Sequence, residues 1–77
     1  MEFNIQKFCE IMAQKEVTLS KISRLSQIDI GNLSRYKNGK SIPNLKTIGK
    51  IAKALEINPT DLLVERLENI ENISKKS

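Results

Sequence analysis

Short apolar runs at helical spacing, each cut off by turn residues and restarted by a capping residue, constrain this chain more than any other feature. Thr18, Asp29, Asn44 and Asn58 each stand just ahead of a run whose apolar residues recur every three or four positions. No strand-like alternation of useful length breaks the pattern. It predicts an all-α fold of short helices joined by loops of a few residues.

The first helix is expected from about Asn4 to Lys15, with Ile5, Phe8, Cys9 and Met12 on one apolar face. Thr18 caps a second helix, in which Leu19, Ile22 and Leu25 face inward beside the small Ser23, and Lys21 and Arg24 face out. This helix should end near Ser26 or Gln27. Asp29 caps a third helix, Ile30 to about Lys37, where its carboxylate can accept from the N–H of Gly31 or Asn32 and suits the positive helix end. Ile28 is placed to staple onto Leu33, and Leu33 with Tyr36 forms the buried edge. Asn38-Gly39 tolerates the left-handed turn that closes a helix.

After the loop Lys40-Ser41-Ile42-Pro43, Asn44 caps a fourth helix with the stripe Leu45, Ile48, Ile51, Ala52 and Leu55. Gly49 there is expected to let a neighbouring helix approach. Asn58-Pro59-Thr60-Asp61 reads as a cap, a first-position proline and an acid, the opening of a fifth helix running to about Ile70 or Ile73. The Lys-rich end is expected to fray. One domain accounts for the chain, with a core over about 4–65 and a helical tail over 66–77.

Only Gln27 to Asp29 separate the second and third helices. So short a connection forces the sharp angle of a helix-turn-helix, whose second helix reads the DNA major groove with its N-terminal turn. That turn offers Ile30, Gly31 and Asn32, and one turn on comes Arg35. Arginine can give two parallel hydrogen bonds to guanine, asparagine pairs in a bidentate way with adenine, and isoleucine can press on a thymine methyl. Gly31 lowers helix propensity and lets backbone and DNA come close. Each has a blander reading: close packing of Gly31 against the second helix, a local backbone hydrogen bond for Asn32, a solvated Arg35. Around them Thr18, Lys21, Lys37, Asn38, Lys40, Asn44 and Lys46 are suited to phosphates.

Charge follows the same division. Lys15 to Lys53 holds nine Lys/Arg against Glu16 and Asp29, whereas the chain from Ala54 onward holds three against five acids. A basic middle suits a polyanion; a solvated basic surface with no partner is the alternative.

The run TLSKISRLSQIDIGNLSRYKNGKSIP and the following NLKTIGKIAKALEINPTDLL resemble the Cro/C1-type helix-turn-helix family of phage and bacterial repressors, over about Ile5 to Leu63. The resemblance implies a compact four- or five-helix, lambda-repressor-like domain, here read as five-helix, of a kind that usually binds operator DNA as a dimer. By position it implies Ile30, Gly31, Asn32 and Arg35 as base readers, and Thr18, Asn38 and Lys40 as phosphate contacts. Two positions depart from it. Leu19 stands where many members have glutamine. Met12 and Lys37 stand where many pair an arginine with a glutamate, which leaves Lys37 free to face phosphate.

Leu62, Leu63, Leu67, Ile70 and Ile73 exceed what so small a core needs. They can pack back on Phe3, Ile5 and Phe8, or form a two-fold dimer contact through Leu63, Leu67 and Ile70, the reading favoured here, or do both in part. A domain near this size buries only about 60% of its unfolded surface, so a partner subunit would add stability.

The expected function is a sequence-specific DNA-binding transcriptional regulator, a repressor binding a palindromic operator as a homodimer. The alternative is a protein-interaction module of antitoxin or anti-repressor type that sequesters another protein through its tail. With no histidine, no metal-ligand cluster, no phosphate-cradling glycine loop and no nucleophile with a base, an enzyme is not expected. No cofactor, metal or small-molecule ligand is expected. A lone Cys9 and the absence of a signal peptide or long apolar span point to a reducing cytoplasm and no membrane.

Overall fold

The computed structural model describes residues 2–64. Among the described residues four helices carry the fold: α1 (Ile5–Lys15), α2 (Leu19–Ser26), α3 (Ile30–Lys37) and α4 (Leu45–Leu55). A two-residue strand β1 (Glu2–Phe3) precedes α1, and a single 3-10 turn (Pro59–Leu62) leads into β2 (Leu63–Val64) after α4. Among the described residues no helix is long and apolar enough to cross a membrane.

Each helix starts at a side-chain cap, at Thr18, Asp29 and Asn44 as expected and at Asn4, expected only as the start of the first helix. The Oδ1 of Asn4 accepts from the Lys7 N–H at 3.0 Å, and the Thr18 Oγ1 from the Lys21 N–H at 3.2 Å. The Asp29 Oδ2 accepts from the Gly31 N–H at 2.9 Å, and the Asn44 Oδ1 from the Thr47 N–H at 2.8 Å. Such a bond satisfies one of the donors that a helix start leaves open and contributes about 1 kcal/mol. Three helices end on a left-handed residue that is not glycine: Glu16, Gln27 and Glu56. After α3 the left-handed residue is Gly39, at φ +76°.

The core joins all four helices and both termini of the described chain: Phe3, Phe8, Ile11, Ile22, Ile28, Leu33, Ile48, Ile51, Ala52, Leu55 and Leu62. Each large side chain there contributes roughly 1.5–3 kcal/mol by leaving water. Ile11 takes the buried place on α1, while Cys9, expected inside, is half-buried and free. Leu25 and Leu45, also expected inside, are exposed at 54% and 63%. On α2 the buried line runs through Ile22 and Ser26. That rotates Leu25 off the inner face, since positions four apart lie about 40° from one another and positions three apart about 60° the other way. Leu45 is the first residue of α4, one turn ahead of the buried Ile48.

The expected fifth helix does not continue through Leu63 and Val64. Leu62 is fully buried, its carbonyl accepts from the Asn4 N–H at 2.7 Å, and β2 pairs antiparallel with β1, Glu2 opposite Val64 and Phe3 opposite Leu63. Asn58 makes no side-chain cap bond at the start of the turn. One turn is a costly helix nucleus, and here the N-terminal segment offers a ready partner for extended chain. Phe3 in turn packs its ring on Phe8, with centroids 5.4 Å apart and planes inclined at 53°. Residues 65–77, on which the rest of the expected fifth helix falls, lie outside the described residues.

Among the described residues no neighbouring helix approaches Gly49. Apart from its chain neighbours and its own helix backbone, no described atom lies within 4 Å of the position its Cβ would occupy. Gly49→Ala is therefore expected to raise stability by about 0.5–1 kcal/mol through helix propensity alone. Thermal unfolding checks this, and a lower Tm would show that the space is needed.

Candidate nucleic-acid interface

The third helix is held from behind by the turn that precedes it. Ile28 is buried, so both its backbone polar groups need partners inside the fold. The Ser23 hydroxyl donates to the Ile28 carbonyl at 2.5 Å, and the Ile28 N–H donates to the Ser26 Oγ at 3.3 Å. The Ser26 hydroxyl itself donates to the Ile22 carbonyl at 2.6 Å. The left-handed Gln27 (φ 62°) reverses the chain, and its N–H donates to the Ser23 carbonyl at 2.8 Å. Two serines of α2 thus hold the short connection to α3. Sequence inspection assigns Ser23 only smallness and Ser26 only a helix end.

Leu33 is buried completely and Tyr36 half-buried against the core, which turns the opposite face of α3 outward. Gly31 and Arg35 are exposed on that face, with Asn32 exposed on its flank and Ile30 exposed at the helix start. Ile30 keeps 44% of its surface, a large apolar side chain left in water. The Asn32 side chain makes no hydrogen bond among the described residues, so the local backbone bond that could have explained it is not formed. Gly31 does not pack on α2 either. The single heavy atom near its would-be Cβ is the Asp29 Oδ2, at 2.8 Å. The capping carboxylate leans over the first turn of α3, and a glycine there lets it reach the Gly31 N–H.

Arg35 is exposed yet held. Its Nε–H donates to the Ser41 Oγ at 3.2 Å, and its carbonyl accepts from the Lys40 N–H at 2.8 Å and the Ser41 N–H at 3.4 Å. The loop after α3 is thereby tied to the end of the helix, with Lys40 and Ser41 beside Arg35.

The residues suited to phosphate divide by place. Thr18 and Lys21 stand exposed at the start of α2, and Asn44 and Lys46 exposed at the start of α4. Asn38 and Lys40 are exposed after α3, while Lys37 is half-buried. Thr18 and Asn44 spend their oxygens on caps; the Thr18 hydroxyl proton and the Asn44 amide protons are left to donate. From Val17 to Leu55 the chain holds eight Lys/Arg and one acid, Asp29, whose carboxylate caps α3. Among the described residues, Asp29 is the one acid on the stretch that carries α2, α3 and the start of α4. Of the residues expected at a dimer contact, Leu63 is half-buried in β2, opposite Phe3. For this residue the packing back on the N-terminal segment is realised. Leu67 and Ile70 lie outside the described residues.

Two short helices joined by a locked turn, the second exposing Asn and Arg amid basic residues, define a helix-turn-helix DNA-binding domain. The chain belongs to the Cro/C1-type HTH DNA-binding domain family, whose model matches residues 7–65. It is similar to YozG of Bacillus subtilis (strain 168), named an uncharacterized HTH-type transcriptional regulator. The two are 34% identical over 67 residues, 86% of this chain and 80% of YozG. No solved structure matches the chain significantly.

Ser23→Ala leaves the carbonyl of buried Ile28 without its donor. It is expected to cost about 1–3 kcal/mol of stability, read as a lower denaturation midpoint with an unchanged m-value. Wild-type stability would show that the turn does not depend on this bond.

Proposed function

We propose that this protein is a sequence-specific transcriptional repressor that binds a palindromic operator as a homodimer. The observation that carries the reading is the exposed face of α3. Asn32 has unspent hydrogen-bonding capacity there, Arg35 is held by its neighbours, and basic residues stand on both sides. Side chains of these two types match the donor and acceptor patterns of adenine and guanine in the major groove. Ile30 adds an apolar surface of the kind that meets a thymine methyl.

Thr18, Lys21, Lys37, Asn38, Lys40, Asn44 and Lys46 are assigned to phosphates. They come from three helix starts or ends around α3, so they can grip the backbone on both sides of the groove and fix the register of the reading helix. Gly31 keeps the first turn slim on the side that meets DNA. Leu63, Leu67 and Ile70 are assigned to the dimer contact, in which two copies of α3 would stand about one turn of DNA apart. The similarity to YozG, named a transcriptional regulator, supports a regulatory role. Occupying an operator would block transcription by excluding polymerase.

Selection of binding sites from a random DNA pool, followed by affinity measurements at several salt concentrations, tests the reading. A palindromic motif bound by two protomers is expected. Arg35→Ala should relax preference at one base pair per half-site and cost about 1–3 kcal/mol. Lys40→Ala should weaken binding to all sequences alike and lower the salt slope by about one. An unchanged selected motif with Arg35→Ala would remove that residue from the readers. Binding indifferent to both sequence and salt would contradict the whole proposal.

A further inference from the structure

Arg35 is exposed, and an exposed arginine has many rotamers open to it. In this protein one of its five N–H donors is already committed. The Nε–H donates to the Ser41 Oγ at 3.2 Å, across the turn that follows α3. Ser41 is half-buried, and its own N–H donates to the Arg35 carbonyl at 3.4 Å. The Lys40 N–H reinforces that attachment at 2.8 Å. One residue therefore meets Arg35 at both ends, at the backbone and at the first nitrogen of the guanidinium. Gly39, left-handed at φ +76°, turns the chain back so that this can happen.

We propose that Ser41 is a positioning residue for DNA readout, holding the Arg35 guanidinium so that its two terminal amino groups present end-on to a guanine. With Nε occupied, the side-on pairing through Nε and one terminal nitrogen is closed. The two terminal nitrogens remain, and their parallel N–H groups match the O6 and N7 acceptors of guanine. Fixing the fork before DNA arrives also lowers the ordering cost of the contact, which sharpens discrimination more than it raises general affinity. Ser41 itself touches no base in this assignment. The inference rests on Arg35 being a base reader.

The experiment compares wild type, Arg35→Ala, Ser41→Ala, Ser41→Thr and the Arg35→Ala/Ser41→Ala double variant. Each is measured on the selected operator, on operators with every substitution at the base pair assigned to Arg35, and on unrelated duplex. Thermal unfolding of each variant confirms that it folds. Ser41→Ala is expected to lower discrimination at the Arg35 base pair roughly 3–10-fold, the worth of about one hydrogen bond. Affinity for unrelated duplex and the salt slope should stay at wild-type values. Ser41→Thr, which keeps the acceptor oxygen, should restore discrimination. In the Arg35→Ala background, Ser41→Ala should have no further effect on it.

If Arg35→Ala leaves the motif intact, the base-reading assignment fails and the positioning role falls with it. If Arg35→Ala relaxes one base pair but Ser41→Ala leaves that preference whole, the positioning role alone is overturned. A loss that Ser41→Ala spreads evenly over all sequences overturns it too, because that is the signature of a phosphate contact.

Discussion

The arrangement of this domain depends on how the buried turn between α2 and α3 is satisfied. Ile28 is buried, and the hydroxyls of Ser26 and Ser23 take its N–H and its carbonyl respectively, the second bond being part-buried. A buried polar group left without a partner costs about as much as several side-chain contacts contribute. With both groups satisfied, Ile28 and Leu33 can enter the core together and α3 lies with its rear face sealed. Exposure of the opposite face is a consequence of that seal. The hydrogen bonds from α2 and the burial of Leu33 set the orientation of α3 independently of any ligand.

The same economy extends to the ends of the described chain. Asn4 caps α1 with its side chain and holds the Leu62 carbonyl with its backbone N–H, so one residue serves both the first helix and the closing segment. The Phe3–Phe8 ring contact and the β1–β2 pairing complete a clasp beneath the helices. The clasp involves none of the residues assigned to bases or phosphates. The clasp and the surface assigned to DNA therefore occupy different parts of a small domain, while Thr18 and Asn44, which cap helices and are assigned to phosphates, belong to both.

Local features were legible in the sequence. The caps at Thr18, Asp29 and Asn44 form because short polar side chains ahead of an apolar run have few better partners than the open N–H groups of the first turn. The bounds of α3 and its buried Leu33 follow from the same signals, and Ile30, Asn32 and Arg35 are exposed as expected. Features set by distant partners were not legible. Leu63 and Val64 extend because Phe3 and Glu2, some sixty residues earlier, pair with them in turn. Leu25 loses its inward place because the line through Ile22 and Ser26 faces the core. Glu16, Gln27 and Glu56 end helices in the left-handed region without the glycine or asparagine that marks such ends. At Gly31 the carboxylate of Asp29 lies 2.8 Å from where a Cβ would stand, a contact two residues away that helix propensity does not suggest. The tie between Arg35 and Ser41 crosses the Asn38-Gly39 turn, and no periodicity marks a pair six residues apart.

The central claim is that the outward face of α3 is the surface that meets DNA. Titrating isotope-labelled protein with its selected duplex and mapping the NMR shift changes residue by residue tests this most directly. The largest changes are expected at Gly31, Asn32 and the Arg35 Nε–H, with smaller ones at Thr18, Lys40 and Asn44. Changes concentrated on Lys50 and Lys53 of α4, or on the β1–β2 ribbon, with α3 silent, would contradict it.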